Sequence, residues 1–496
     1  MKKKLLILIV AYNHEKFIKK VLDRVDVNLT DIYDVDILIT DDSSTDLTFQ
    51  KTKEYIEASK SNFKYKILSN PKNLGYGGNQ KIGFLYAINN NYDYVALVHG
   101  DGQYAPEYLD VLVEPLANQN IDAVFGSRMI NKGGAIKGGM PLYKYVGNKI
   151  LTYFQNKIFN KNFTEFHSGY RIYKVSSLKK IPFELNEDDH SFDNEIIIQF
   201  LIADLNIVEL PIPTYYGEEI SYVNGMKYAY QVFKANIKAK LQKLDILYDK
   251  KYDISYLNKE KYTIKKNYDS THTRVLNIIP SNSKVLDLGC NNLEFAKMLK
   301  KEKNCYVTGV DLPENSLNRE FVENYYSCNL NINLPNINYD EFDFIVILDV
   351  IEHLDDPENF LYKLKEKIKS NPKIKIIITT PNIAFIIIRL MLLFGNFNYG
   401  RRGILDKTHK RLFTFGSFKN LLNQNGYEIT KLQGIPAPFG LALGENFFSK
   451  SFLYLNQILI FLSKKLFSYQ IYCELKSKIS YEVLLEKAKI NAKNKR

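Results

Sequence analysis

The sequence predicts an α/β protein built of two successive units, each a largely parallel sheet covered by helices. Three observations carry that prediction. Apolar runs of strand length alternate with helical patterns from Lys4 to about Tyr222, and the alternation resumes near Thr271 and lasts to Leu475. Polar turns rich in Asp, Asn and Gly follow the strand ends, where open α/β sheets place ligands. The 496 residues also exceed what one hydrophobic core usually organises.

The first strand is LLILIV, behind three lysines. A signal peptide also opens on charge and an apolar run, but this run is short, no small-residue cleavage site follows, and polar AYNHEK comes next. A strand buried on both faces is the reading. A helix, FIKKVLDRV, leads to the strand VDILIT, a helix through Tyr55, the strand YKIL, a helix through Ile88, and the strands YVALVHG and DAVFGS. The second series has strands at KVLDLG, YVTGVD, FDFIVILDV and KIIITT, with a final strand at YQIYCEL.

Between the series, Met226–Lys266 carries eleven lysines against four acids, with Tyr230, Phe233, Ile237, Leu241 and Leu244 at helical spacing. This reads as a helix and linker whose lysines either face solvent or lie on an anionic membrane. The expected divisions are a first unit at 1–225, the basic helix and linker at 226–269, a second unit at 270–478 and a basic tail at 479–496.

Apolar residues at 45% and charged residues at 25% are ordinary for a globular protein. Cys290, Cys305, Cys328 and Cys473 show no pairing pattern and no histidine at zinc spacing, which suits a reducing cytoplasm. The apolar stretch Ile383–Phe394 contains Arg389 and is too short to span a bilayer, so attachment to the inner face of a membrane would be peripheral. A net charge of +12 suits phosphorylated substrates, anionic lipid or nucleic acid. No basic and aromatic stripe organised for bases is present, which argues against nucleic acid.

In the first series, Asp41 and Asp42 follow a strand in TDDSSTD, where their oxygens can organise a turn or face a ligand. Asn70–Phe84 adds glycines, Gly75 among them, that permit close backbone approach, and Lys81, which can meet phosphate. VHGDGQ supplies His99, Asp101 and Gln103 at alternating positions, which an extended segment points to one side. Bound there, Mg²⁺ or Mn²⁺ would neutralise a leaving diphosphate; alternatively, His99 hydrogen-bonds beneath the turn.

These strings, with VAYNHEKFI, FGSRM, GGMPLYKYVGNKILT, HSGYRIY, FDNEIIIQ and VELPIPTYYG in order, resemble family 2, GT-A glycosyltransferases of the dolichyl-phosphate-mannose synthase type over residues 4–225. The resemblance implies a nucleotide-sugar donor bound by Tyr12, Glu15 and Asp42. It assigns a metal to Asp101 and Gln103, and phosphates to Arg128 and Arg171. His99 stands where the family has Asp, but Asp101 and Gln103 remain, which implies a metal dependence retained in altered form rather than lost. The acceptor would be a polyprenyl phosphate, already an anionic nucleophile, or a glycan hydroxyl, whose proton a base must take. Asp193 is the candidate base; orienting a helix start or an arginine is its other reading.

In the second series, VLDLGCNNLEFAKML, with Asp287 and Gly289, resembles the first strand, turn and helix of class I S-adenosylmethionine-dependent methyltransferases, a Rossmann-like fold, over residues 270–475. The family prefers glycine where Asn291 and Leu293 stand. Asp311 ends the next strand 22 residues after Gly289, the separation for a carboxylate on ribose hydroxyls. Asn329 would accept from the adenine amino group, and Asp349 in DVIEHL would face the cofactor. Glu352 and His353 follow on a turn, where they read as structural or as a general base or metal ligand; His353, Arg402, His409 and Arg411 are candidates for methyl-acceptor contact. The whole then reads as a bifunctional enzyme of surface glycan or glycolipid assembly, or as a glycosyltransferase whose second unit only binds or scaffolds.

Overall fold

The computed structural model of the chain describes residues 2–118, 120–216, 224–243, 247–254, 269–312, 319–368, 371, 373–440, 444 and 446–478. The expected basic tail at 479–496 and much of the linker, 244–246 and 255–268, lie outside the described residues. The chain divides into two compact units, Met1–Gln242 with Asp249–Lys259, and Lys243–Tyr248 with Glu260–Arg496.

The first unit is a seven-stranded sheet of β1 (Lys4–Ala11), β2 (Asp34–Asp41), β3 (Lys64–Ser69), β4 (Tyr94–His99), β5 (Ala123–Ser127), β6 (Arg171–Lys174) and β7 (Ile207–Pro211). Their order is β3-β2-β1-β4-β6-β5-β7, parallel except for β6, which runs antiparallel between β4 and β5. Alternation along β1 divides its side chains between two cores: Leu5, Ile7 and Ile9 enter one, Leu6, Leu8 and Val10 the other. That two-sided burial is why LLILIV is continuous rather than alternating. Strand order reverses between β1 and β4, so Asp41, Asp42, His99 and Asp101 meet at the carboxyl edge, where such sheets bind ligands.

The basic helix forms at Gly225–Lys243. It buries Val232, Ala235 and Ala239, whereas Tyr230 and Phe233 of the expected apolar stripe stay exposed. Phe233 stacks on Phe154 at 5.1 Å, and Gln231 donates to Asp189 at 2.6 Å, which fastens the helix to the first unit.

The second unit is a sheet of β8 (Lys284–Leu288), β9 (Tyr306–Asp311), β10 (Asn324–Ser327), β11 (Phe344–Leu348), β12 (Lys375–Pro381), β13 (Tyr427–Ile435) and β14 (Gln470–Ser477). The order is β10-β9-β8-β11-β12-β14-β13, parallel except for β14, which runs antiparallel between β12 and β13. Leu286, Ile345 and Ile376 pack on one face, and Val285, Val346 and Ile377 on the other. Order reverses between β8 and β11, which brings Gly289 and Asp349 to the same edge. Among the described residues, no helix is long and apolar enough to cross a membrane.

Candidate functional site

At the carboxyl edge of the first sheet, Asp42 is buried and its oxygens are taken. Oδ1 accepts from Asn70 Nδ2 at 2.7 Å and the Leu74 amide at 2.9 Å, and Oδ2 accepts from the Gly75 amide at 2.9 Å. Asp42 thus braces the turn into the helix Tyr76–Asn89. Gly75 sits at φ +84°, and a Cβ there would meet the Asp188 carbonyl at 2.7 Å, so only glycine fits. Lys81 pairs with Asp188 at 2.6 Å and donates to the Asn186 carbonyl, a commitment to the facing loop rather than to phosphate. Tyr12 is half-buried just past β1. Glu15 accepts from the Leu47 amide at 3.2 Å and pairs with Lys51 at 3.6 Å, holding the two ligand-edge loops together.

Tyr76 links two sequence candidates. Its hydroxyl donates to Asp193 Oδ2 at 2.8 Å and lies 3.0 Å from His99 Nε2. A phenol has one proton, so His99 donates through Nε2–H and keeps its lone pair on Nδ1. Burial pushes the His99 imidazole down despite the Asp101 and Asp193 charges, which keeps it neutral. The Tyr76 ring stacks on His190 at 4.6 Å. Asp101 accepts from the Gln103 amide at 3.0 Å through Oδ1 alone. His14 faces this turn: a Cβ on Gly100 would lie 2.9 Å from its Nδ1, which is buried without a hydrogen-bond partner. The turn therefore offers a carboxylate oxygen and an orphaned imidazole nitrogen, a donor set suited to a divalent cation.

The two arginines lie deeper than the resemblance implied. Arg128 is bound to the buried Glu165, with Nε to Oε1 at 3.1 Å and the amide to Oε2 at 2.8 Å, and reaches the Tyr216 hydroxyl at 3.3 Å. Burial raises the Glu165 carboxyl, but Arg128 more than offsets this and holds it below the usual carboxylate range. Arg171 is fully buried; it donates to the carbonyls of Ser168, Asp193 and Phe166 and pairs with Asp193 Oδ1 at 3.5 Å. It is a positioning residue for Asp193, and nothing of it is left to face a phosphate.

In the second unit, Gly289 sits at φ +85°, and a Cβ there would come within 2.3 Å of Val350 Cγ2. Asn291 and Leu293, at φ +44° and +61°, adopt the left-handed backbone that glycine would take, so the turn keeps its shape without glycine. The Leu293 side chain is buried against Gly309. Asp311 accepts from the Asn291 amide at 2.6 Å and the Leu312 amide at 2.7 Å. Asp287 lies beneath; burial, then Asp311, push its carboxyl up to about 7. Asn329 is exposed, and its amide oxygen accepts from the Asn331 amide at 3.0 Å, which spends it on a local turn.

Asp349 holds φ +55°, a strained value of the kind found at active sites. Thr379 Oγ1 at 2.8 Å and Gln470 Nε2 at 2.6 Å hold its carboxylate at the mouth of a pocket that Ser270, His272, Pro436 and Tyr469 also line. A tight glycine turn, a carboxylate at the next strand end and a held acid at the mouth fit an adenosyl cofactor. The structure brings His353 and His409 together, ring centroids 4.8 Å apart, beside the buried Glu352. Arg402 is exposed, and Arg411 pairs with Glu358 at 2.7 Å. Tyr76, His14 and Glu165 complete the first site without having been singled out by sequence. Of these, Tyr76 and His14 sat inside motif strings, NLGYGGNQ and VAYNHEKFI.

The family model described as glycosyl transferase family 2 matches residues 6–182, and one described as a methyltransferase domain matches residues 260–432. The chain is 31% identical over 228 residues to the UDP-N-acetylglucosamine–dolichyl-phosphate N-acetylglucosaminyltransferase of Methanococcus voltae, covering 44% of this chain and 88% of that protein. It is 23% identical over 232 residues to the polyprenol monophosphomannose synthase of Mycolicibacterium smegmatis, covering 46% and 84%. A solved structure of glucosyl-3-phosphoglycerate synthase from Mycobacterium tuberculosis with UDP overlaps 47% of this chain and 80% of its own, at TM-score 0.37 and 14% identity, too distant to bear on function. The chain therefore belongs to glycosyl transferase family 2 through its N-terminal half and carries a methyltransferase domain in its C-terminal half.

Proposed function

We propose that the first unit transfers a sugar from a nucleotide-sugar donor to a polyprenyl phosphate, and that the second transfers a methyl group from S-adenosylmethionine to a sugar or related acceptor of the same assembly route. The observation that carries the first reading is the 88% coverage of a dolichyl-phosphate transferase by this chain, with Asp101 held at the ligand edge. A phosphate acceptor agrees with the geometry at Asp193, whose two oxygens are occupied by Tyr76, Gln80 and Arg171 rather than free to take a proton. The acceptor oxygen, already anionic, attacks the anomeric carbon in line, and the nucleoside diphosphate leaves with the bonding pair.

Asp101, with Gln103 and His14 beside it, would hold Mg²⁺ or Mn²⁺, which supplies charge neutralisation for the leaving diphosphate. In the second unit, Gly289 and Asp311 would seat S-adenosylmethionine, with Asp349 at the mouth. Peripheral contact with anionic membrane is supported by exposed apolar faces on both units. The helix Leu142–Phe159 exposes Leu142, Tyr143, Ile150 and Tyr153 among Lys144, Lys149 and Lys157. The helix Phe447–Leu462 exposes Phe447, Phe448, Tyr454 and Phe461, and no acidic residue occurs from Asn446 to Cys473.

Turnover of nucleotide sugars by the purified chain, with and without Mn²⁺, tests the first activity; no consumption of any common donor would remove it. Calorimetric titration with S-adenosylmethionine tests the second: micromolar binding abolished by Asp311→Ala supports an active methyltransferase unit. No binding would leave the binding or scaffolding role.

A further inference from the structure

The buried carboxylate of Glu352 has no function in the sites described so far. It follows β11 in the turn Ile351–His353, its side chain is 1% exposed, and neither oxygen has a hydrogen-bond partner. The neighbouring Thr380 hydroxyl, buried as well, is the side-chain donor that approaches it, without a well-aligned hydrogen bond. Lys410 and Arg411, near in space, give Glu352 only backbone amides, to its carbonyl, and turn their side chains to Asp355 and Glu358. Among the described residues, the sole basic group within ion-pair reach of the carboxylate is His409 Nε2, at 4.0 Å, too far for a hydrogen bond. A buried acid in this state either takes up a proton, which burial favours here, or is held as a carboxylate by an ion pair or a metal.

Both neighbouring imidazoles present a lone pair. His409 Nδ1 lies 3.0 Å from the Ile404 carbonyl, which can only accept, so Nδ1 carries the proton and Nε2 is bare. His353 Nδ1 lies 3.1 Å from Thr408 Oγ1 and 3.3 Å from the Thr408 carbonyl. The Thr408 hydroxyl spends its own proton on Asp406 at 2.7 Å, so His353 Nδ1 is again the donor and its Nε2 is bare. Nδ1–H held by a carbonyl or hydroxyl with Nε2 left open is the outer-shell arrangement of metal-ligating histidines.

We propose that Glu352, His353 and His409 form a divalent transition-metal site, of the class that binds zinc through two imidazoles and one carboxylate. One ligand atom from each lies within 4.8 Å of the others. Bonds of about 2.1 Å at tetrahedral angles put ligand atoms about 3.4 Å apart. The set therefore closes by about 1.4 Å at its widest, which a shift of the half-exposed His353 ring with its Thr408 partner would supply. Three protein ligands leave a fourth position open. The three residues lie at the same strand end as Asp349, and an oxygen of the methyl acceptor would take that position; that last use, and not the site itself, rests on the methyltransferase reading.

The test is zinc retention by the purified full-length chain after loading with Zn²⁺ and desalting, with Co²⁺ as a spectroscopic substitute. Wild type and Asp101→Asn should both retain the ion and show the visible bands of low-coordinate cobalt. His409→Asn and Glu352→Gln should weaken zinc binding by more than about 100-fold while S-adenosylmethionine binding persists. If Glu352→Gln fails to fold, His353→Asn gives the same readout at a half-exposed position. Absence of retained zinc in wild type, or unchanged retention in His409→Asn, overturns the proposal. Retained zinc with no S-adenosylmethionine binding instead removes the methyltransferase reading and leaves the metal site standing.

Discussion

Replacing Tyr76 with Phe removes one oxygen and leaves the ring stacked on His190. That oxygen gives Asp193 a hydrogen bond of 2.8 Å and receives one of 3.0 Å from His99. A bond to a charged acceptor contributes about 1.5–3 kcal/mol, and a buried donor left unpaired costs about 1–3 kcal/mol. Some relaxation of the neighbours leaves an expected loss of about 3 kcal/mol. For a unit of this size that is roughly 6–12 °C in melting temperature. Sugar transfer should fall as well, because the freed His99 ring stands beside Asp101. Gly169→Ala should act on the same pair from outside, since its Cβ would lie 2.6 Å from His99 Cε1 and 2.9 Å from Tyr76 Oη. Thermal melts read the stability and initial rates of donor turnover read the function. A Tyr76→Phe variant within about 0.5 kcal/mol of wild type and unchanged in rate would refute the linkage.

Glu165→Ala should cost about 3–5 kcal/mol, because it strands the buried Arg128 charge; a chemical-denaturation loss under about 1 kcal/mol would contradict the buried pair. With Asp287 pushed up to about 7 in the fold against about 3.9 unfolded, the folded chain holds more protons between those values. Stability of the second unit should therefore fall as pH rises from about 4 to 7 and flatten above. Asp287→Asn should reduce that slope, the buried Glu352 contributing one of the same sign, and a slope unchanged in melts at pH 5 and 8 would argue against it. Leu293→Gly relieves a left-handed backbone, about 1–2 kcal/mol, but deletes a buried leucine, about 2–5 kcal/mol; a net loss of about 1–3 kcal/mol is expected, and a gain in melting temperature would show the backbone strain dominates. Tyr143→Glu with Ile150→Glu should abolish flotation of the chain with phosphatidylserine vesicles; undiminished flotation would remove this face from the membrane surface.

The buried parallel strands were legible because both their faces are apolar: β1, β2, β4, β8, β11 and β12 stand where apolar runs stand. β13 was not, because Tyr427–Ile435 buries only its ends and its middle is polar. β6 is marked as a motif by Arg171 but not as a strand, since its four residues gain their place only by pairing antiparallel with β4 and β5. Motif strings located the ligand edges of both sheets. They did not reveal where long side chains end: Lys81 reaches Asp188 and Arg171 reaches carbonyls of the 166–168 loop, partners that exist only once the chain has folded. His409 and Glu352, 57 residues apart in sequence, meet for the same reason.

The central claim is that this chain glycosylates a polyprenyl phosphate. Mass spectrometry of a polyprenyl phosphate incubated with the chain, Mn²⁺ and a panel of nucleotide sugars tests it most directly. The account predicts that the lipid gains the mass of one sugar from at least one donor, and that Asp101→Ala removes the gain. Release of free sugar with the lipid unchanged, for every donor in the panel, would contradict it.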